Sequence, residues 1–449
     1  MSSSNKYLSI AEDAVQRAKN KGAAMAEAYL LSGKELSIDI RDGEVETMKL
    51  AEDRGLGLRV ISGGQVGFAF TTDFAGDGLD QLVQQALANG KNTEPDEFYA
   101  LPRVSGSYPQ MEIYDPAIRA AEVEKKISLA VEMENSARAF DPRVKIIESS
   151  SYQDAEIEVN IVNSLGLSAS YQGSYCGLYL ALVAGEGEES QTGFAIKYGL
   201  KFADLDPVFI GRQAAQRAVR MLGARPVGTQ KAAVVLDPYI ATNFLGLLSP
   251  ALSAEAVQKG RSLFAGKVNQ AVASPLITVV DDGRLPGGIA SAPFDGEGVP
   301  TSETVLIDQG QLRGFLHNTY TAAKEGVSST GNGVRGSFKS TPEVGSTNFF
   351  IRAGEKSPEQ LIKEVPKGLY VTEVMGMHTA NPISGDFSVG ASGIWIEKGE
   401  LTRPVRGVAI AGNIMDLLEA VDAVGSDLEF FGGKGAPTLR VSSMSLSGS

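Results

Sequence analysis

The sequence predicts an α+β fold: an N-terminal half of two strand–strand–helix units with long helices, and a strand-rich, glycine-rich C-terminal half, mixed or antiparallel, with few helices. Three observations carry this. Hairpin-like runs are followed by a helical run twice before residue 222. Beyond residue 230 period-2 apolar runs dominate and helical spacing is rare. Strands and helices are thus segregated rather than interleaved, which argues for α+β over a doubly wound sheet. The segment 224–230, Ala-Arg-Pro-Val-Gly-Thr-Gln, interrupts both periodicities and marks the best boundary. With 449 residues the chain is long enough for several domains. The predicted divisions are 1–110, 111–226 and 227–449.

Along the chain, Ser9-Ile-Ala-Glu12 reads as a capping box opening a helix that runs to Lys21 and stops at Gly22. Strands are expected at 35–40 and 44–49 around the turn Arg41-Asp42-Gly43, then at 57–61 and 66–70 around Ser62-Gly63-Gly64. Helical spacing follows over 79–87. Asp115-Pro116 looks like an N-cap with proline at N1, opening one long helix that ends near Ala139. A strand at 177–183, an acidic turn, a strand at 193–196 and a helix over about 206–222 then return in similar order. Gly67-Phe-Ala-Phe70 and Gly193-Phe-Ala-Ile196 occupy matching places. This is either a divergent internal duplication or the ordinary recurrence of hairpins followed by helices. In the last half, strands are expected at 232–236, 276–280, 303–308, 368–374, 393–398 and 408–411, with helices around 239–257, 358–364 and 413–420.

Composition narrows the class. Hydrophobic residues at 43% and charged ones at 21% suit a soluble globular chain. The net charge of −13 would be repelled by phosphate backbones and anionic lipid, so neither nucleic acid nor membrane is an expected partner. Cys176 is the only cysteine, which excludes an internal disulfide and a Cys-rich metal site. The stretch Met1–Ile10 has no signal-peptide apolar core, and no window approaches the roughly 20 apolar residues of a membrane span. A cytoplasmic location is expected.

Candidate chemistry is sparse. A zinc site needs three or four convergent ligands, yet the chain offers only His317, His378 and Cys176 besides its carboxylates. His378 lies in Met375-Gly-Met-His-Thr-Ala-Asn-Pro-Ile-Ser-Gly-Asp386, a loop dense in turn formers. Such a loop either presents an imidazole and amides to a bound peptide, or is structural, with Asn381 and Asp386 capping backbone groups. Asp281-Asp282-Gly283 invites an acid/base or cation-binding role; a turn with backbone-bonded aspartates is the plainer reading. Gly331-Asn-Gly-Val-Arg-Gly336 matches GxGxxG formally, but Ser337-Phe-Lys-Ser-Thr-Pro342 cannot open the helix a dinucleotide site requires. It reads as a tight glycine loop.

Several stretches together resemble the TldD/PmbA family, once called modulators of DNA gyrase. They are Gly55-Leu-Gly-Leu-Arg-Val-Ile-Ser-Gly-Gly64, Gly67-Phe-Ala-Phe-Thr-Thr72, Asn163-Ser-Leu-Gly166, Phe202-Ala-Asp-Leu-Asp206 and Leu222-Gly-Ala-Arg-Pro-Val227. Val234-Val-Leu-Asp-Pro238, Lys259-Gly-Arg-Ser262, Thr278-Val-Val-Asp-Asp-Gly283, Thr330-Gly-Asn-Gly333, Asn381-Pro-Ile-Ser-Gly-Asp-Phe-Ser388 and Ala411-Gly-Asn413 continue the set. Each is weak alone; their order and spacing over nearly the whole chain make the match specific. The resemblance implies a cytoplasmic peptidase system acting on peptides or unfolded segments. It is typically a dimer of a zinc-bearing TldD-type chain and a metal-free TldE or PmbA chain. A TldD-type chain carries an HExxxH helix and a later cysteine ligand in a glycine-rich loop. This sequence departs at both places: Leu245-Gly-Leu-Leu-Ser-Pro250 has neither histidine nor acid, and Phe431-Gly-Gly-Lys-Gly-Ala-Pro-Thr-Leu439 has no cysteine.

The resemblance therefore implies a TldE/PmbA-like non-catalytic subunit. No catalytic or metal-binding residue and no cofactor is expected in this chain, the zinc being expected in a TldD-type partner. The expected partners are that zinc-bearing subunit or a second copy of the chain, together with a peptide. His378, Asn381, Asp386 and Asn332 are the candidate peptide-binding residues. The alternatives are a homodimeric binding or regulatory protein, and a self-sufficient hydrolase using His378 with Asp386.

Overall fold

The computed structural model describes residues 3–103 and 107–448, so the first two residues of the N-terminal stretch lie outside it. Helix α1 (Ser3–Asn20) begins earlier than the capping box required, and Ser9 and Glu12 sit inside it. The reason is packing: Tyr7, Leu8 and Ile10 already lie against the buried Ala11, Ala14 and Ala18, so the apolar face starts before Ser9. Gly22, at φ +98°, ends the helix, and the amides of Gly22 and Ala23 donate to the carbonyls of Lys19 and Ala18.

Strands β1 (Met25–Arg41), β2 (Glu44–Ser62) and β3 (Gln65–Thr71) form two hairpins, followed by α2 (Gly76–Gly90). Both turns place two residues at positive φ, Asp42 with Gly43 and Gly63 with Gly64, as tight hairpin turns demand. The runs expected at 44–49 and 57–61 are one strand. Only its second part is covered by β3, and its first part is an exposed edge carrying charges that obscured the period.

The second unit repeats this order. The helix expected from residue 116 to near 139 is two: α3 (Pro116–Ala120), capped by Asp115, and α4 (Val123–Phe140), with Ala121 and Glu122 extended between them. Asp115 also accepts from the Phe202 amide, and its own amide donates to Ser174, which ties α3 to the sheet. α4 must instead run along α5 (Pro207–Val219), and one straight helix cannot do both. Between them come β4 (Val144–Asn163), β5 (Ser168–Glu186) and β6 (Glu189–Gly199).

The six strands make one antiparallel sheet, ordered β3-β2-β1-β4-β5-β6, with the two units joined where β1 pairs with β4. Helices cover one face. A Cβ on Gly67 would lie 1.9 Å from the Ala86 carbonyl of α2, and one on Gly193 would lie 2.4 Å from the Ala214 carbonyl of α5. The matching glycines thus do the same job, letting a helix close on its third strand. This equivalence favours the duplication.

The C-terminal half opens with β7 (Gln230–Leu236) and α6 (Pro238–Ala251). β7 pairs in parallel with Lys367–Met375 and antiparallel with Leu439–Ser447. Asp386–Glu397 and Glu400–Asn413 continue the sheet, and Glu400–Asn413 pairs with Leu439–Ser447 to close a barrel around Trp395, Leu369 and Val441. A second sheet contains Val279–Asp282, Phe349–Ile351, Glu429–Phe431 and Lys434–Ala436. The helical stretch expected at 239–257 breaks after Ala251 and resumes as Ala254–Gln258, and Thr319–Glu325 is a further helix. Segregated strands and helices make the fold α+β, as the pattern predicted. The halves meet where the Phe338 ring lies on β2: a Cβ on Gly55 would be 2.1 Å from it. Among the described residues no helix is long and apolar enough to cross a membrane.

Candidate functional site

Helix α6 positions the first candidate site. Asp237 caps it by accepting from the Tyr239 amide, and proline stands at its first position. Ile240, Phe244, Leu245 and Leu248 face the core. Tyr239, Asn243, Gly246, Leu247 and Ser249 are half-buried along the other side, and Pro250 is exposed. That open side is bordered by the segment 431–436. Tyr239 packs edge-on against Phe431 at 5.1 Å and Phe194 at 5.0 Å between ring centres. The hydroxyls of Ser249 and Ser346 are hydrogen-bonded at 3.0 Å. A Cβ on Gly246 would lie 3.1 Å from Lys434 Nζ.

The two stretches that lack the ligands of a TldD-type chain therefore meet in space. A zinc ion needs imidazole, thiolate or carboxylate donors at about 2.0–2.3 Å. These two stretches and their neighbours offer instead a buried leucine, a glycine, hydroxyls, an amide and an ammonium. Among the described residues no group of three or more His, Cys, Asp or Glu converges to hold a metal ion. These residues do not fit the family's zinc, and the Lys434 charge would repel one.

The glycine loop at 331–336 has a different role. Gly331 adopts φ +77°, and Asn332 is buried, donating to Asp281 Oδ1 at 2.7 Å and to the Gly345 carbonyl at 3.0 Å. Asp281 ends its strand beneath it and also accepts from the amide and hydroxyl of Thr347. Burial pushes the Asp281 carboxyl up to about 6 against these hydrogen bonds. Arg335 reaches from the loop across the seam between the halves to Glu27 of β1, donates to the Gly296 carbonyl at 2.6 Å and stands 4.9 Å from the Tyr29 ring centre. Arg59 of β2 bridges Glu27 at 3.0 Å and Glu297 at 3.1 Å. Burial and the neighbouring Glu297 hold the Asp295 carboxyl well above the usual carboxylate range. This is a charge-balanced clamp between the N-terminal sheet and two loops of the C-terminal half.

The histidines are not brought together. His317 is buried beside Glu325, with Nε2 3.7 Å from its carboxylate, and burial lowers its affinity for a proton. His378 is exposed on the short turn Met377–Thr379. Asn381 accepts from the amides of Ile383 and Ser384, and its own amide donates to the Asp386 carbonyl. The Asp386 carboxylate accepts from Asn413 at 2.9 Å and Ser384 at 2.7 Å, and these bonds hold its pKa below the ordinary value. Among the described residues His378 makes no hydrogen bond to Asp386. His378, Asn381 and Asp386 thus share one exposed loop, while Asn332 is buried in the clamp region. Cys176 is buried, and its thiol is pushed up to about 12. Sequence reasoning missed Lys434, Ser249, Ser346 and the Glu27–Arg59–Glu297–Arg335 set. Lys434 was within reach, as the one charge in the cysteine-free segment.

Two three-strand units in one sheet, joined to a closed barrel with α6 packed beside the segment 431–436, define the architecture. Three family descriptions match the chain in order: the PmbA/TldA metallopeptidase domain 1 over 26–90, the central domain over 116–222 and the C-terminal domain over 229–448. The chain belongs to the PmbA/TldD metallopeptidase family. It is 30% identical over 430 residues to the metalloprotease PmbA of Escherichia coli O157:H7, covering 94% of this chain and 92% of that one. A Thermotoga maritima protein designated a candidate modulator of a DNA gyrase has the same fold, with TM-score 0.92, 30% identity and coverage of 98% and 100%. TldE of Thermococcus kodakarensis, at 24% identity and TM-score 0.90 over 98% and 100%, shares the fold.

Proposed function

We propose that this chain is a TldE/PmbA-like, non-catalytic subunit of a TldD-type metallopeptidase complex. It contributes a dimer interface and a groove that guides peptides or unfolded segments, and the zinc belongs to the partner chain. The observation that supports this most is the meeting of Gly246 and Lys434 where the family's chemistry requires metal donors and a base. Catalytic zinc works by lowering the pKa of its water to about 7, with a nearby carboxylate taking the proton. An ammonium in that place repels the cation and has no lone pair with which to take the proton. Within this reading the 375–386 loop, with His378, Asn381 and Asp386, is an exposed polar rim available to peptide, and the buried Asn332 holds the loop at 331–336 to Asp281 and Gly345.

The test is metal analysis of the purified chain, followed by cleavage of an unstructured peptide with and without a TldD-type chain. The expected results are substoichiometric zinc, no cleavage alone and cleavage by the pair. Stoichiometric zinc together with cleavage by the isolated chain would overturn the proposal.

A further inference from the structure

The open side of α6 also carries an unpaired charge. Lys434 is half-buried, yet no carboxylate lies within 4.0 Å of its ammonium among the described residues, and it donates no hydrogen bond there. In a chain with 54 acidic residues against 41 basic ones, a half-buried cation without an acid beside it is free to take a ligand of opposite sign. The same side of α6 that approaches it at Gly246 carries further polar groups. Ser249 and Ser346 hold their hydroxyls 3.0 Å apart, and one hydroxyl of such a pair keeps a proton to donate. Gly246 leaves the space beside Lys434 Nζ open, because any side chain there would begin 3.1 Å away. Asn243, one turn back on α6, has a free side-chain amide among the described residues. Beyond it Tyr239, Phe431 and Phe194 form an aromatic step.

We infer that Lys434, with the Ser249–Ser346 pair, forms a carboxylate subsite that captures the C-terminal carboxylate of a peptide lying along α6. The ammonium and a hydroxyl donate to the two carboxylate oxygens, Asn243 bonds the last peptide unit, and the aromatic step takes an apolar side chain behind it. The inference rests on the proposed reading of α6 as a peptide groove and adds to it the end of the chain that is held. A free carboxylate is selected over an amide because only the former supplies the charge that Lys434 lacks. An internal segment would leave the ammonium to water.

The test uses the full chain and one unstructured ten-residue peptide made as the free acid and as the C-terminal amide, with binding measured by calorimetry at low salt. The free acid is expected to bind about tenfold or more tightly than the amide. Lys434→Gln should erase that preference and Lys434→Arg should keep most of it. Ser249→Ala combined with Ser346→Ala should narrow it several-fold. Thermal unfolding of each variant checks that the fold is intact. Equal binding of acid and amide, a preference that survives Lys434→Gln, or no binding of either peptide would each overturn the inference. None of these outcomes bears on the subunit reading, which stands or falls on metal content and on cleavage by the pair.

Discussion

Replacing Arg335 by methionine should weaken the chain more than any exposed substitution. The Arg335 side chain is 1% exposed, and that of Glu27, which it contacts, is fully buried. With Arg59 and Glu297 the cluster holds two cations and two anions, and burial with the neighbouring Glu297 pushes the adjacent Asp295 carboxyl above the usual carboxylate range. Arg335→Met leaves one buried negative charge without compensation and strands the carbonyls of Gly296 and Ser340, which it bonds at 2.6 and 3.1 Å. Removing one partner of a buried pair costs about 3–5 kcal/mol. Glu27→Gln leaves the opposite excess and should cost a similar amount. The double variant Glu27→Gln, Arg335→Met restores neutrality, because Arg59 keeps Glu297. It should therefore be more stable than either single variant, with a coupling of about 2 kcal/mol or more. Urea unfolding followed by far-ultraviolet circular dichroism and Trp395 fluorescence measures all four chains. If Arg335→Met falls within about 0.5 kcal/mol of the unmodified chain, or if the two single effects simply add, the charge-balance argument is refuted.

Three further outcomes follow from the same geometry. Gly67→Ala and Gly193→Ala should each cost about 1–3 kcal/mol by pushing α2 or α5 off its strand, whereas Gly199→Ala, with nothing within 4 Å of its Cβ, should be near neutral in the same urea assay. An unchanged midpoint for Gly67→Ala would contradict the close-approach reading. Asp281 has its folded-state pKa raised to about 6, so the folded protein binds its proton more tightly than the unfolded chain does. Its contribution is favourable below the unfolded value and is lost as pH rises from about 4 to 6, by roughly 2–3 kcal/mol. Asp281→Asn should remove that slope from the stability–pH curve, and an identical slope in the variant would count against it. The Cys176 thiol, buried and pushed up to about 12, should react with a maleimide only as fast as the chain opens; immediate stoichiometric labelling in native buffer would refute this.

Much of the fold was legible because local chemistry and tertiary packing agree. Asp42-Gly43 and Gly63-Gly64 adopt the positive φ that tight hairpin turns need, so both turns were readable. Asp206-Pro207 caps α5 where the spacing put a helix. β4 was invisible for a physical reason: Ser150, Ser151, Asn160 and Asn163 are buried polar residues, and their bonds to backbone and side chains replace the apolar alternation that marks a strand. The charge clamp was hidden as well. Glu27 and Arg335 are over 300 positions apart, and nothing local distinguishes a glutamate that will be buried opposite an arginine from a solvated one. The glycine loop was legible as a loop; that its arginine fastens it to the N-terminal sheet was not.

The candidate site divides in the same way, and the division explains why an absence could be informative. A metal centre is assembled from distant segments, so a present ligand in one of them proves little, whereas missing donors in two segments that later prove adjacent constrain each other. Gly246 and Lys434 show this. Had the two stretches lain apart, each departure would have been an isolated substitution, compatible with a shifted ligand set. Placed with a would-be Cβ 3.1 Å from Nζ, they set an ammonium beside a helix position that carries no carboxylate. Lys434→Ala alone would thus remove the repulsion without supplying donors, and should leave zinc content unchanged. The two halves are joined by the Glu27–Arg59–Glu297–Arg335 clamp and by Phe338 on Gly55, neither of which depends on metal chemistry.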